Sequence, residues 1–469
     1  MFLRTSKNLK SLILDETICN QIIFENLYEN TTITSIKLYD FCTNFNFKTI
    51  DVLVNILHKN STLTSLDLVI RGHHCFSDIE PERGEILADA LCKNNTLKIL
   101  NICNIPHRSK GGKALVDILC KNTTLTSLTL HSNDIGLEGE KALANTLRKN
   151  TTLTFLDLSY NHLGSEEGKI LSNALYKNTT LISLDISGNI FGSKGGIALA
   201  DMLCKNTTLT YLNLSENNLE SDGGKALADA LCKNTILTSL DLGNNNLGSE
   251  GGKALADALC KNTTLTSLHL SYNKLGSEGG KALADALCKN TTLISLNLYC
   301  NYLGSEVGKS LADVLCKNTT LTSLNLGFNN LVSEEGKAFA DALCKNNTLK
   351  DLNLKGNYLG SEGGKALAAA LCKNTALTSL SLSNNHLESQ GGKALANALC
   401  KNSTLTSLNL HFNNLGPEGG KAFADAICMN TTLIFLNLNS NDIGLEGIKA
   451  LEDGFCKNFM LISLELFNN

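Results

Sequence analysis

The chain has 469 residues, 43% of them hydrophobic, with no Trp, 3 Pro and a net charge of −4 at pH 7. No run of about 18 apolar residues offers a membrane span, and no Lys/Arg cluster forms the basic stripe that nucleic acid or an anionic membrane surface would need. Met1 to Lys7 lack the charged and apolar segments of a secretory signal, so a cytoplasmic location is expected.

The first 96 residues repeat loosely. Leu9, Ile33, Leu63 and Leu97 open similar phrases at uneven and growing distances, which reads as degenerate N-terminal repeats with an insertion near 71–81. His73, His74 and Cys75 lie in that insertion. They are the one dense group of potential metal ligands, but a fourth ligand and paired spacing are missing, so a surface loop and no metal are expected.

From Leu97 the register is strict. Leu97, Leu125, Leu153, Leu181 and their successors through Leu433 and Leu461 follow each other at one fixed step of about 28 residues, the mark of a repeat architecture. Residues 97–469 are therefore regular repeats, the last incomplete. The stop at Asn469, without a capping helix, is expected of a fragment or truncated gene model.

One unit can be read from Leu265 onward. Leu268 and Leu270 alternate with polar residues at the period of a half-buried strand, so Ser267, His269 and Ser271 are expected on the opposite surface. Asn273 recurs at Asn133, Asn161, Asn189 and on to Asn441 and Asn469. An amide both donates and accepts, and a stack of amides can bond the backbone of adjacent turns where the strand ends. Ile105 takes the ladder position one repeat earlier, with Asn104 one place early, so the stack is expected to fray there.

Gly276 to Asn290 reads as a helix. Ser277 suits its cap, Glu278 the positive end of its dipole, and Lys289 with Asn290 its end. Leu283 and Leu287 face the core, four residues apart. Pro417 replaces the Ser in one copy, tolerable at a helix start. Lys281 and Asp285 form an exposed pair in the poorer order and are read as a solvated face.

A single unit cannot bury its own apolar edge, so units must stack in series. Strands pair at about 4.8 Å while helices need about 9 Å. The stack should therefore curve, with a concave parallel β-sheet inside and convex α-helices outside.

The 17 cysteines fit the same period. Twelve occupy one position of the repeat, from Cys92 and Cys120 through Cys204 and then in every copy to Cys456, ten of them directly after a Leu. They are expected to be reduced thiols in the core of a protein in a reducing compartment. The Asn-Thr-Thr triplets, such as Asn262-Thr263-Thr264, match a glycosylation sequon but read more simply as a duplicated turn.

The phrase Leu-x-x-Leu-x-Leu-x-x-Asn-x-Leu-Gly, followed by Gly-Gly-Lys-Ala-Leu-Ala-Asp-Ala-Leu, resembles the ribonuclease-inhibitor type of leucine-rich repeat. It is similar also to the repeat domains of NOD-like receptors and Ran GTPase-activating proteins. The resemblance covers nearly everything from Leu97 on, and it implies an α/β leucine-rich-repeat solenoid, a horseshoe. It implies little about function, because the shared residues hold the turns together. No nucleotide-binding domain accompanies the repeats. Gly304 to Ser310 has three residues between its glycines where a phosphate loop needs four, and the acidic tail of a Ran activator is missing.

No catalytic triad, paired carboxylates or cofactor motif stands outside the repeat logic, so neither enzymatic activity nor a cofactor is expected. Function should lie in what varies between units. Aromatic residues gather in the strand and the following turn, at Tyr211, Tyr272, Tyr299, Tyr302, Phe328, Tyr358, Phe412 and Phe435, with Lys274 and Lys355 among them. Exposed aromatics beside charge are the usual make-up of a binding hot spot. Tyr211, Tyr272, Lys274, Tyr299, Tyr302, Phe328, Lys355 and Tyr358 are the expected partner-binding residues, although Tyr272 and Phe328 could instead pack in the turn.

The reading is a monomeric, non-catalytic protein-interaction scaffold or receptor-like sensor that binds a protein partner on its concave face. A GTPase-activating protein of the Ran activator type is the alternative. The near-identity of the units also fits a neutral repeat expansion.

Overall fold

The computed structural model describes residues 9–15, 27, 30–39, 47–69, 81–104, 116 and 121–469. The insertion at 71–80 with its His-His-Cys group, Ile105 and Cys120 lie outside them. The chain divides into two compact units, Met1–Leu219 with Lys233–Leu237, and Glu220–Cys232 with Thr238–Asn469.

The first unit contains strands β1 (Ser11–Asp15), β2 (Ser35–Tyr39), β3 (Ser65–Val69), β4 (Ile99–Cys103), β5 (Ser127–Thr129), β6 (Phe155–Asp157), β7 (Ser183–Asp185) and β8 (Tyr211–Asn213). Its described helices are α1 (Phe47–Lys59), α2 (Pro81–Lys93), α3 (Gly136–Leu147), α4 (Ser165–Leu175) and α5 (Gly192–Leu203). Each strand pairs in parallel with the next, and Ser11 faces Ser35, Ser35 faces Ser65 and Ser65 faces Ile99. The loosely spaced N-terminal phrases thus keep the register of the regular ones.

The second unit follows the same plan. Its strands are β9 (Ser239–Asp241), β10 (Ser267–His269), β11 (Ser295–Asn297), β12 (Ser323–Asn325), β13 (Asp351–Asn353), β14 (Ser379–Ser381), β15 (Ser407–Asn409), β16 (Phe435–Asn437) and β17 (Ser463–Glu465). The helices are α6 (Glu220–Leu231), α7 (Gly248–Leu259), α8 (Gly276–Leu287), α9 (Gly304–Leu315), α10 (Ser333–Leu343), α11 (Gly360–Leu371), α12 (Glu388–Leu399), α13 (Gly416–Met429) and α14 (Gly444–Lys457). Again every strand is parallel and in register with its neighbour, as Ser239, Ser267, Ser295 and Ser323 show. Both units are α/β leucine-rich-repeat solenoids, and their regular repeats advance by 28 residues, the separation of Asn273 from Asn301.

Leucine burial makes the core. In the repeat from Leu265, Leu265, Leu268, Leu270, Leu275, Leu283 and Leu287 are all buried, each worth about 2 kcal/mol relative to an exposed side chain. Ser267 and His269 are half-buried on the other face of β10. Ser271, expected beside them, is buried where the strand turns away.

Two sets of buried amides close the turns. Asn273 Nδ2 donates to the carbonyl of Leu242 one repeat back, at 2.7 Å, and its backbone N–H donates to Asn301 Oδ1 at 3.0 Å. The second set is the asparagine of the Asn-Thr-Thr triplet. Asn290 Nδ2 donates to Leu259 O at the end of α7, at 2.9 Å, while its Oδ1 accepts from the N–H groups of Thr292 (3.0 Å) and Leu293 (2.8 Å). Asn290 therefore serves two helix ends, its side chain that of the preceding helix and its backbone N–H that of its own, donating to Ala286 O at 2.9 Å, and the sequon residue is buried: Asn262 is 6% exposed.

The thiols correct a sequence expectation. Among the described residues of that position, Cys260, Cys288, Cys344, Cys372, Cys428 and Cys456 are exposed and Cys92, Cys204, Cys232, Cys316 and Cys400 half-exposed. The reason is rotational. A residue following a core-facing Leu such as Leu287 lies about 100° further round the helix, off the buried stripe. All are free thiols; neighbouring helices at about 9 Å stand beyond disulfide reach.

The helix starts also differ from expectation. No side chain caps α8. Instead Gly276, at φ 61°, turns the chain into the helix and its N–H donates to Asn301 O at 3.0 Å. In α12 the same place is taken by Glu388 at φ 56°, where a Cβ costs about 1–2 kcal/mol. Among the described regular repeats, two helices begin otherwise. Val332, ahead of α10, has φ −115° and donates its N–H to Glu335 Oε2 at 2.9 Å. Glu335, wholly buried, also accepts from Ser305 Oγ at 2.6 Å, with Lys309 Nζ 4.0 Å away. Gly164 and Glu167 repeat that arrangement before α4, at 3.0 Å. The exposed ion pairs run mainly to first-turn glutamates, as in Lys393–Glu418 at 3.0 Å and Lys421–Glu446 at 2.9 Å. Such pairs contribute little to stability.

Three substitutions test this account by the midpoint of urea unfolding. Asn301→Ala leaves the buried Asn273 N–H unpaired and is expected to cost about 2 kcal/mol. Glu335→Ala strips a partner from Val332 N–H and from the Ser305 hydroxyl, again about 2 kcal/mol; an unchanged midpoint removes its role at the helix start. Glu388→Gly relieves the left-handed strain but frees the unfolded chain, for a net gain of about 0.5–1 kcal/mol.

Candidate functional site

After most strands of the regular repeats the backbone takes two left-handed residues around the ladder asparagine, whereas Asn189 and Asn357 have one only, Gly188 and Gly356. Tyr272 (φ 57°) and Lys274 (φ 54°) flank Asn273, and Cys300 (φ 55°) and Tyr302 (φ 56°) flank Asn301. The asparagine points into the core, and Tyr272, Lys274 and Tyr302 are exposed. Backbone bonds between repeats continue through this turn, with Cys300 N–H donating to Gly327 O at 2.8 Å and Gly304 N–H to Asn329 O at 3.0 Å. The spacing of the sheet is thereby carried beyond the strands.

On this frame the second unit presents a run of rings. The Tyr272 and Tyr299 centroids are 5.3 Å apart, those of Tyr299 and Phe328 5.1 Å, and Lys355 Nζ lies 5.9 Å from the Phe328 centroid. Each of two rings lies against a glycine one repeat on. A Cβ at Gly327 would meet the Tyr299 ring at 2.7 Å, and one at Gly356, itself at φ 66°, the Phe328 ring at 2.6 Å. An aromatic followed by glycine at the matching place of the next repeat is the sequence sign of such packing. Burial, and then the neighbouring Tyr272 hydroxyl, push the Tyr299 hydroxyl pKa up. Tyr272 remains 49% exposed, whereas Phe328 and Tyr299 are half-buried.

Beside the run is a cleft of about 250 Å³, lined by Cys300, Tyr302, Phe328, Asn330, Gly356, Asn357, Tyr358, Asn384 and His386. Tyr302 and Tyr358 are exposed there, at 58% and 57%. Tyr358 owes its place to the altered start of α10: its N–H donates to Leu331 O at 2.7 Å and it bridges Val332. His386 stacks near-parallel to it, centroids 6.1 Å apart at 6°.

Six of the eight residues singled out from sequence thus surround one stretch of the second unit, and Lys274 stands exposed in the turn beside Tyr272. Tyr211 belongs to the first unit, half-buried in β8. Sequence reading missed His386, Asn330 and Asn384. The sign was available, since 302, 330, 358 and 386 share one repeat position.

The polar groups of the strand face are engaged structurally. His269 Nδ1 is 2.8 Å from Asp241 Oδ2 and its Nε2 is 2.8 Å from Asn297 Nδ2. Asn297 Oδ1 in turn accepts the Tyr299 N–H at 3.0 Å, and Asp241, Asn325, Asn353 and Asn409 repeat that turn-closing bond. Among the described residues no group of three or more His, Cys, Asp or Glu side chains could hold a metal, and no helix is long and apolar enough to cross a membrane. The site offers aromatic area, amides and a few lysines, which suits non-covalent recognition.

No curated protein matches the chain. Among solved structures, a chain of the yeast Rad7 and Elc1 complex aligns with a TM-score of 0.53 at 17% identity, covering 90% of this chain and 93% of that one. A chain of the TLR13–ssRNA13 complex aligns with a TM-score of 0.50 at 18% identity, covering 94% of this chain and 53% of that one, so this chain spans about half its length. At these identities the likeness concerns the fold. The family model described as Leucine Rich repeat matches residues 121–144, 149–166, 177–200, 205–228, 233–256, 261–284, 317–340, 345–368, 373–396, 401–424 and 430–451. With more than half its length matched, repeat upon repeat in one register, the chain belongs to the leucine-rich-repeat family.

Proposed function

We propose that this protein is a non-catalytic interaction scaffold, of the ribonuclease-inhibitor type of repeat, that binds a globular protein partner through the strand face and turns of its second unit. The observation that carries the reading is the continuous ring contact from Tyr272 through Tyr299 to Phe328, with the exposed Tyr302 and Tyr358 beside it. Rigid aromatics present large amphipathic area at small entropic cost, and binding energy concentrates on such anchors. Lys274 and Lys355 add charge at the margin, which favours rate and specificity of encounter. Of the fold neighbours, Rad7 is recorded with the protein Elc1, and TLR13 with single-stranded RNA. The net charge of −4 gives the chain no overall attraction for a phosphate backbone, which favours a protein partner. The likeness to Ran GTPase-activating proteins draws no support from these neighbours. A cytoplasmic setting and a receptor-like sensing role fit the same reading.

Replacing Tyr299, Tyr302 and Tyr358 together by Ala tests it. The expected result is loss of about nine-tenths or more of partner recovery in affinity capture, in line with the loss of several hot-spot anchors, from a variant whose circular dichroism is unchanged. Undiminished recovery by a folded variant defeats the assignment.

A further inference from the structure

The third residue of each strand of the first unit, from Lys37 in β2 to Asn213 in β8, is half-buried and forms one column on the outward strand face. Within the unit, neighbours in this column bond across the strands where an amine or amide meets a carboxylate. Lys37 Nζ is 3.5 Å from Asp67 Oδ2, Asn101 Nδ2 donates to Asp67 Oδ1 at 2.6 Å, and Asn213 Nδ2 donates to Asp185 Oδ2 at 2.9 Å. Asp157 and Asp185 break the pattern. They face each other in register, and as carboxylates both accept only. Each uses Oδ1 to hold its own turn, accepting from the N–H and hydroxyl of Ser159 at 2.8 and 2.6 Å, or of Ser187 at 2.9 and 2.7 Å. Among the described residues no cationic side chain pairs with either. Like charges directly opposite on paired strands are unfavourable, so the column lacks a cationic donor at this place.

The surroundings carry the same sign. The strand and turn segments 126–135, 154–163, 182–191 and 210–219 contain Asp134, Asp157, Asp185 and Glu216 and no Lys or Arg. Beside the carboxylates stands Tyr160, 42% exposed, its ring held against Gly188, where a Cβ would meet it at 2.6 Å. Burial, then the hydrogen bond to Glu216 and the charges of Glu216 and Asp185, push the Tyr160 hydroxyl pKa up. We infer that this face binds a basic segment of a protein partner, with one arginine guanidinium seated between Asp157 and Asp185 and stacked against the Tyr160 ring. A guanidinium is a planar fork of five donors that serves two carboxylates and stacks on an aromatic face. Other occupants fit less well. Among the described residues no group of three or more His, Cys, Asp or Glu side chains could hold a metal ion, and a phosphate chain would meet charge of its own sign. The inference goes beyond the aromatic run of the second unit, since it concerns a separate surface with its own residues.

The test uses the full chain and a fluorescein-labelled peptide of alternating Arg and Gly, read by fluorescence anisotropy, with matching peptides that carry Lys or Glu in place of Arg. The arginine peptide is expected to bind about ten-fold tighter than the glutamate peptide and about three-fold tighter than the lysine peptide, since only the guanidinium bonds bidentately. Asp157→Asn is the telling variant. Its Oδ1 still accepts from Ser159, while its amide can donate to Asp185 as Asn213 does from the other side, so the missing donor is supplied from within the column. Binding of the arginine peptide should then fall about ten-fold, and the urea midpoint should hold or rise. Tyr160→Leu should weaken binding about three-fold, and Asp285→Asn, on an exposed helix face, should leave it within about two-fold. Equal binding of the arginine and lysine peptides, or indifference to Asp157→Asn, overturns the inference. So does a lowered midpoint in Asp157→Asn, which would assign the carboxylate to the fold alone. If Asp157→Asn loses the peptide while the Tyr299, Tyr302 and Tyr358 alanine variant keeps its partner, this face stands and the surface proposed on the second unit falls. The converse result keeps that surface and removes this one.

Discussion

A buried primary amide holds this molecule together. Wherever a strand turns toward its helix, and wherever a helix returns to the next strand, backbone N–H and C=O groups leave regular pairing inside an apolar core. An unpaired group there costs about 1–3 kcal/mol, more than an ordinary hydrogen bond gains. Asparagine resolves the problem because one side chain both donates and accepts, and two repeated asparagines, typified by Asn273 and Asn290, answer it at the two corners of the repeat. Each amide bonds one repeat back, so satisfying the corner and stacking the repeats are the same event.

The binding surface inherits its character from that arrangement. To send Asn273 inward, the residues on either side take left-handed backbone, a conformation unfavourable for any residue with a Cβ. Tyr, Phe, Cys and Lys nevertheless occupy those places. Strain of this kind persists where surrounding structure overdetermines it and is often found at functional positions. The rings are then accommodated by their neighbours, with glycines lying under Tyr299 and Phe328.

Much of this was legible beforehand because the leucine period reports burial directly: a side chain at a fixed place in a stack is either inside or outside in every copy. The ladder at Asn273 and the alternation at Leu268 and Leu270 followed from that. The second amide set did not, since Asn290 bonds a helix end 31 residues away and its local sequence looks like a turn. The thiols were misplaced because adjacency to Leu287 in sequence becomes a rotation of about 100° on a helix. Ser277 suggested a cap, but the backbone of the next repeat already serves α8. His386 and Asn330 were missed because they matter only through the column they share with Tyr302 and Tyr358.

Since the regular repeats from Asn133 on grip one another by the same pair of amides, that part of the fold is indifferent to how many repeats it contains. An in-frame gain or loss of one whole repeat, the commonest accident of a duplicated gene, would preserve the core and both amide columns. It would not preserve separation: losing the repeat that holds Asn330 would bring Tyr302 and Tyr358 into adjacent repeats. Recombination can therefore alter recognition by stepwise changes in length while leaving foldability untouched, a route of divergence that a compact, aperiodic domain does not have.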